Sequence, residues 1–190
     1  MATDKQYKNL PKFLEAHKRN GDGDFTHTII GNTEHGVYGG SYNVPDDKTA
    51  TFLDLYYRYV FKDSKNSYLT EKHRETGPLV IDLDLRIPGN SGRTYTEETV
   101  VTFLDIVNRE MYNLINPAEA LCVAFVMEKP DARYDSKKDI TKDGLHIMYP
   151  YIVVEPKVQF ALRYNVIMNP ACAKIFKDIG VSNSIDDIYD

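Results

Sequence analysis

The stretch that most constrains the fold is Leu79-Val80-Ile81-Asp82-Leu83-Asp84-Leu85-Arg86-Ile87, which runs into Pro88-Gly89-Asn90-Ser91-Gly92. Apolar residues recur at every second position, the period of a half-buried β-strand, and the Pro/Gly cluster ends it. Leu79, Ile81, Leu83, Leu85 and Ile87 therefore share one face and need a core beneath them. Asp82, Asp84 and Arg86 share the other face. Two carboxylates on one side of a rigid strand, two residues apart, stand about 6 to 7 Å apart at the backbone and repel unless positive charge lies between them. A divalent cation meets that need: magnesium takes one or two carboxylates, with water and phosphate oxygens completing its shell. An Asp-x-Asp pair can equally face water on the outside of a sheet, so this strand alone leaves both readings open.

The remaining chain supplies helices to cover such a strand. Leu10 to Lys18 has apolar residues at helical spacing and stops at Asn20-Gly21-Asp22-Gly23-Asp24. Thr49 to Phe61 carries a broad apolar stripe, and Thr96-Glu97-Glu98-Thr99 opens a long helix to about Ile115, with Thr96 placed to cap it and Pro117 beyond its end. A further helix starts at Glu155-Pro156 and is punctuated by Pro170. Strands are expected at Phe25 to Ile30, near Tyr42-Asn43-Val44, at Ala120 to Met127 and at Leu145 to Val154; the continuous apolar run of the third suggests burial on both faces. Gly39-Gly40 reads as a tight turn, Lys129 to Lys142 as a long basic loop, and Ser182 to Asp190 as an acidic end. Thr26, His27, Glu71 and His73 read as turn or surface residues and receive no role.

At 190 residues the chain is expected to form one domain, 1–190. No stretch approaches the roughly 20 apolar residues of a membrane span, so no membrane partner is expected. Met1-Ala2-Thr3-Asp4-Lys5 lacks the apolar segment of a secretory signal, which points to an intracellular, reducing compartment. Cys122, in an apolar run, and Cys172, in a helical pattern, are then expected to be buried thiols. The net charge of −5 at first sight argues against a nucleic-acid partner, because phosphate binding is driven by Lys and Arg. Basic residues nevertheless gather at Lys8, Lys12, Lys18 and Arg19, and again at Arg133, Lys137, Lys138 and Lys142.

The second basic group leads into Lys142-Asp143-Gly144-Leu145-His146-Ile147-Met148-Tyr149-Pro150. Alternation puts Leu145, Ile147 and Tyr149 on one side, and Gly144 and His146 on the other. A histidine beside a residue without a side chain lets a triphosphate come close to the backbone, with Lys142 adding a point charge. A single strand histidine is also commonly structural.

Three ordered segments together resemble the motifs of the archaeo-eukaryotic primases: Leu79-Val80-Ile81-Asp82-Leu83-Asp84, Gly144-Leu145-His146, and the terminal Ile188-Tyr189-Asp190. Phe25-Thr26-His27-Thr28-Ile29-Ile30-Gly31 and Tyr68-Leu69-Thr70-Glu71-Lys72-His73 are similar in particular to the primase domain of the primase-helicase proteins of nucleocytoplasmic large DNA viruses. The resemblance implies an α+β fold, an antiparallel sheet of the RNA-recognition-motif type with helices packed on one face. It implies that Asp82, Asp84 and Asp190 hold Mg2+ or Mn2+ and that His146 and Lys142 contact the nucleotide. Asp186 and Asp187 compete with Asp190 for the third carboxylate role. Because the family continues past the third motif, a domain cut short at its C-terminus is expected, with a helicase domain elsewhere in the full-length protein.

The chemistry so implied is primer synthesis in DNA replication: attack of a 3′-hydroxyl on the α-phosphorus of a nucleoside triphosphate paired to a single-stranded DNA template, in the host cytoplasm or at a viral replication site. The competing readings are another metal-dependent phosphotransfer enzyme such as a nuclease, and a single-stranded-DNA-binding domain without turnover. No Gly-x-x-x-x-Gly-Lys phosphate loop occurs in the chain.

Overall fold

The computed structural model describes residues 7–31 and 37–189, which form two compact units divided in sequence between Arg74 and Glu75. In the first, helix α1 (Leu10–Ala16) starts where the Asn9 side chain accepts a hydrogen bond from the Lys12 amide at 3.1 Å. Strands β1 (His27–Ile29), β2 (Gly40–Tyr42) and β3 (Leu69–Glu71) make an antiparallel sheet in the order β2-β1-β3. Helix α2 (Thr49–Tyr57) widens into a π-type turn at Arg58–Lys62, so the helical stretch expected from Thr49 to Phe61 is present but not uniform. Leu10, Phe13, Leu14, Tyr42, Val44, Phe52 and Leu55 form this unit's core.

The second unit is built on the aspartate strand. Strand β4 (Gly77–Pro88) pairs antiparallel with β7 (Ile140–Val154), and β5 (Phe125–Glu128) and β6 (Arg133–Asp135) pair successively with the other edge of β7. Helices α3 (Glu97–Ile115), α4 (Pro156–Met168) and α5 (Pro170–Asp178) cover one face of the sheet. Their buried residues, among them Phe103, Val107, Leu162, Val166, Cys172 and Phe176, pack with Leu79, Ile81, Leu83, Leu85, Ile87, Leu145, Ile147 and Tyr149. This is the expected α+β arrangement, an antiparallel sheet with helices on one face. Thr96 caps α3 through its hydroxyl, with Glu97 and Glu98 in the first turn, as its sequence suggested.

Several expectations need correction. The apolar run from Ala120 to Met127 is not a strand buried on both faces: Glu119–Leu121 is a short 3-10 turn, and β5 begins at Phe125 with every residue exposed. It lies at the sheet margin, where apolar composition reflects the open face and not the core. The basic segment 129–142 is not wholly loop either, since it contains β6 and the first residues of β7. Cys172 is buried but Cys122 only half-buried, and both are free thiols. The acidic end includes the short helix α6 (Ile185–Ile188), whose Ile188 and the following Tyr189 join the core. Among the described residues no helix is long and apolar enough to cross a membrane.

Candidate active site on the open sheet face

The register of β4 against β7 sets Asp82 opposite His146, Asp84 opposite Gly144 and Arg86 opposite Lys142. The core-facing alternation of both strands turns these six residues to the face opposite helices α3, α4 and α5. His146 Nε2 lies 3.5 Å from Asp82 Oδ1. That is too long to satisfy the oxygen, which is shielded from solvent and has no hydrogen-bond partner among the described residues. Asp84 Oδ1 meets the Lys129 ammonium at 3.1 Å. Gly144 makes this approach possible, because a Cβ there would overlap the Leu83 carbonyl oxygen and come within 3.0 Å of Lys129 Nζ.

Polarity is graded along the open face. Arg133 also pairs with Lys142, so Arg86, Lys142 and Arg133 form a basic row. In the next row beyond the Asp82–His146 pair on this face, Val80, Met148 and Phe125 stand abreast and form an apolar end. Lys142 is held by Asp135 at 3.1 Å, and that contact first of all lowers the Asp135 carboxyl pKa below its ordinary value.

The donor set suits a hard divalent cation. Asp82 contributes an oxygen lacking a donor, Asp84 one that already attracts a cation, and both are carboxylates of the kind magnesium and manganese take. Among the described residues no cluster of three His, Cys, Asp or Glu side chains gathers. Two carboxylates still suffice for an ion whose remaining ligands are water and phosphate.

A family model described as the C962R protein N-terminal AEP domain matches residues 26–190. The chain belongs to the archaeo-eukaryotic primase superfamily. It is 36% identical over 152 residues to the "Putative helicase L207/L206" of Acanthamoeba polyphaga mimivirus, a match covering 80% of this chain and 16% of that protein. It is 26% identical over 155 residues to the "Putative helicase 184R" of Invertebrate iridescent virus 6, covering 73% of this chain and 15% of that protein. The chain thus spans about one-sixth of the length of these viral relatives.

Of the residues singled out in the sequence, Asp82, Asp84, His146 and Lys142 share one face, with the two acids on β4 and the two basic groups on β7. Asp190 lies outside the described residues. Its predecessor Tyr189 bridges to Leu83, which brings the third segment to the free edge of β4. The two competitors are engaged elsewhere: Asp186 pairs with Arg163 at 3.4 Å, and Asp187 accepts from the Ser184 hydroxyl at 2.7 Å.

Four residues escaped the sequence reading. Asp143, on the core side of β7, has a side chain with 0% exposure and binds Arg93 through Nε at 2.9 Å and Nη2 at 3.2 Å. Arg93 also donates to the Lys129 carbonyl and reaches Glu128 Oε2 at 3.2 Å, and its charge is reinforced by the Asp143 hydrogen bonds. Its guanidinium lies 5.0 Å from the centre of the Tyr95 ring. Burial, with the Asp143 charge next, pushes the Tyr95 phenol up to about 12. Asn183 completes the outer edge of β4, accepting from the Arg86 amide at 3.0 Å and donating to the Asp84 carbonyl at 2.9 Å. The one advance signal for this group was the charged Lys142-Asp143 pair beside Gly144; nothing local marked Arg93, Lys129 or Asn183.

Proposed function

We propose that this chain is the catalytic domain of a DNA primase-polymerase, and that both compact units belong to that domain, since the family match spans both. The observation that carries the reading is the register of Asp82 with His146 and of Asp84 with Gly144 on the sheet face opposite α3, α4 and α5. Asp82 and Asp84 would hold Mg2+ or Mn2+, with Asp190, one residue past the Leu83–Tyr189 bridge, as third carboxylate. When bound, such an ion lowers the pKa of an attacking hydroxyl and offsets charge on the attacking and leaving oxygens.

The chain's own groups do the positioning. His146 donates to a triphosphate oxygen, and the absent side chain at 144 lets that oxygen approach the backbone. Lys142, steadied by Asp135, adds charge from the basic row. The triphosphate lies toward Arg86, Lys142 and Arg133, while Val80, Met148 and Phe125 offer an apolar surface to the base. This orientation leaves the α-phosphorus over the acids, where a template-paired 3′-hydroxyl attacks and pyrophosphate departs. The viral relatives, each named a putative helicase, favour a helicase domain elsewhere in the full-length protein; the domain itself would work on a single-stranded DNA template inside the cell.

Asp82→Asn tests the reading, because it removes a charged ligand while keeping shape. Incorporation of nucleotides on a primed single-stranded template with Mn2+ should fall by about 100-fold or more, the equivalent of roughly 2.7 kcal/mol of transition-state stabilisation. Template binding by fluorescence anisotropy should persist. Incorporation at the unaltered rate would refute the assignment, and metal-dependent strand cleavage in place of incorporation would favour a nuclease.

A further inference from the structure

Lys129 has no part in the reaction as drawn, yet its surroundings are unusually specific. Its Nζ lies 3.1 Å from Asp84 Oδ1, over the bare Cα of Gly144. Its carbonyl is gripped by Arg93, which is in turn anchored to the buried Asp143. The backbone of Lys129 is therefore tethered at the end of β5 while its long side chain can pivot from that point. We propose that Lys129 is an internal cation that competes with the divalent metal for Asp84, so that metal binding there is coupled to arrival of the nucleotide's triphosphate. The inference rests on the primase-polymerase reading.

The physical argument is one of exclusion. A magnesium ion binds a carboxylate oxygen at about 2.1 Å, so it cannot share Asp84 Oδ1 with an ammonium in contact with the same atom without strong like-charge repulsion. As the metal enters, the ammonium has to swing away from Asp84, its ion-pair partner among the described residues. Phosphate oxygens arriving with the metal supply the replacement partner, so nucleotide and metal assist each other's binding. Removing the ammonium should make the carboxylate available to metal without nucleotide. For an ion pair this exposed, the shift is about 1.5- to 5-fold in metal affinity.

The test is titration of the protein with Mn2+ alone, following free Mn2+ by electron paramagnetic resonance. Lys129→Met should bind Mn2+ about 1.5- to 5-fold more tightly than the unaltered protein. Lys142→Met, which removes the same charge from the same face but contacts Asp135, measures the general charge effect and should give clearly less. In an Asp84→Asn background Lys129→Met should do no more than Lys142→Met does. Equal effects from the two lysine variants, or an undiminished effect in that background, overturn the proposal and leave the polymerase reading standing. If Asp84→Asn alone leaves Mn2+ affinity unchanged, the carboxylate pair is not the metal site and both readings fall together. Lys129 is half-buried beside the open face, and circular dichroism spectra that superimpose on the unaltered protein's establish that each variant is folded.

Discussion

Arg93→Ala should destabilise the second unit's sheet margin by stranding a buried charge. The substitution removes both guanidinium contacts to Asp143, at 2.9 and 3.2 Å, and leaves that fully buried carboxylate with the Gly144 amide, at 2.9 Å, as its remaining donor. Deleting one partner of a buried ion pair costs about 3–5 kcal/mol, because the other charge stays behind uncompensated. Arg93 is 28% exposed, so water fills part of the gap and the lower figure, about 3 kcal/mol, applies. For a chain of this size that lowers the thermal midpoint by roughly 6–12 °C. Urea unfolding with linear extrapolation reads the loss directly. The Arg93→Met/Asp143→Asn double variant, in which no charge is stranded, should recover at least half of it. A loss below about 1 kcal/mol in the single variant, or no recovery in the double, would show that the pair does not act as a buried lock.

Three further outcomes follow from the same structure. Asn183→Ala should cost about 1–2 kcal/mol in urea unfolding, since it uncaps the Arg86 amide and the Asp84 carbonyl at the edge of β4; a loss within about 0.3 kcal/mol would mean water replaces both bonds. Burial, aided by Arg74 and opposed by Glu71, lowers the His27 pKa below its ordinary 6.5, so unfolded chains take up that proton first. Stability from this group is complete above pH 6.5 and is lost as pH falls toward the folded value, and His27→Gln should therefore flatten the thermal-midpoint profile between neutral and mildly acid pH. Burial pushes the Cys172 thiol up to about 12, so a thiol reagent at neutral pH should modify Cys122 in the native protein and Cys172 only on unfolding; rapid reaction of both would contradict the packing.

What the sequence disclosed tracks the range of the interactions involved. The faces of β4 and β7 were legible because alternation is local: each Leu or Ile fixes the orientation of the Asp beside it. The cap and first turn of α3 were legible for the same reason. The exposed margin at β5 was not, because Phe125, Val126 and Met127 have the same composition whether a neighbour covers them or not. The Arg93–Asp143–Lys129 connection spans separations of 36 to 50 residues, and Asn183 reaches 97 and 99 residues back to β4; no local pattern encodes such pairs. Lys142 was found by its place before the histidine, but its partner Asp135 lay in a segment read as loop.

The alignment of acid with histidine is specified at two levels, and the apolar core supplies only the first. A slip of one residue between β4 and β7 would turn every Leu and Ile outward and bury Asp82 and Asp84, so the core forbids it. A slip of two residues keeps every face correct and would set Asp82 against Gly144 or Met148, destroying the site at little cost in apolar burial. Polar bonds on the core side of β7 forbid that second slip. Thr141 donates to the Gly89 carbonyl at 2.6 Å, Asp143 meets Arg93, and the Tyr149 hydroxyl meets Asn108 at 2.9 Å. Thr141 and Asp143 are each 1% exposed and Tyr149 0%, so a register that broke these bonds would strand buried polar groups at about 1–3 kcal/mol apiece. The polar groups buried beneath the sheet therefore hold the open face in register, and weakening them should displace His146 from Asp82 before it unfolds the strands.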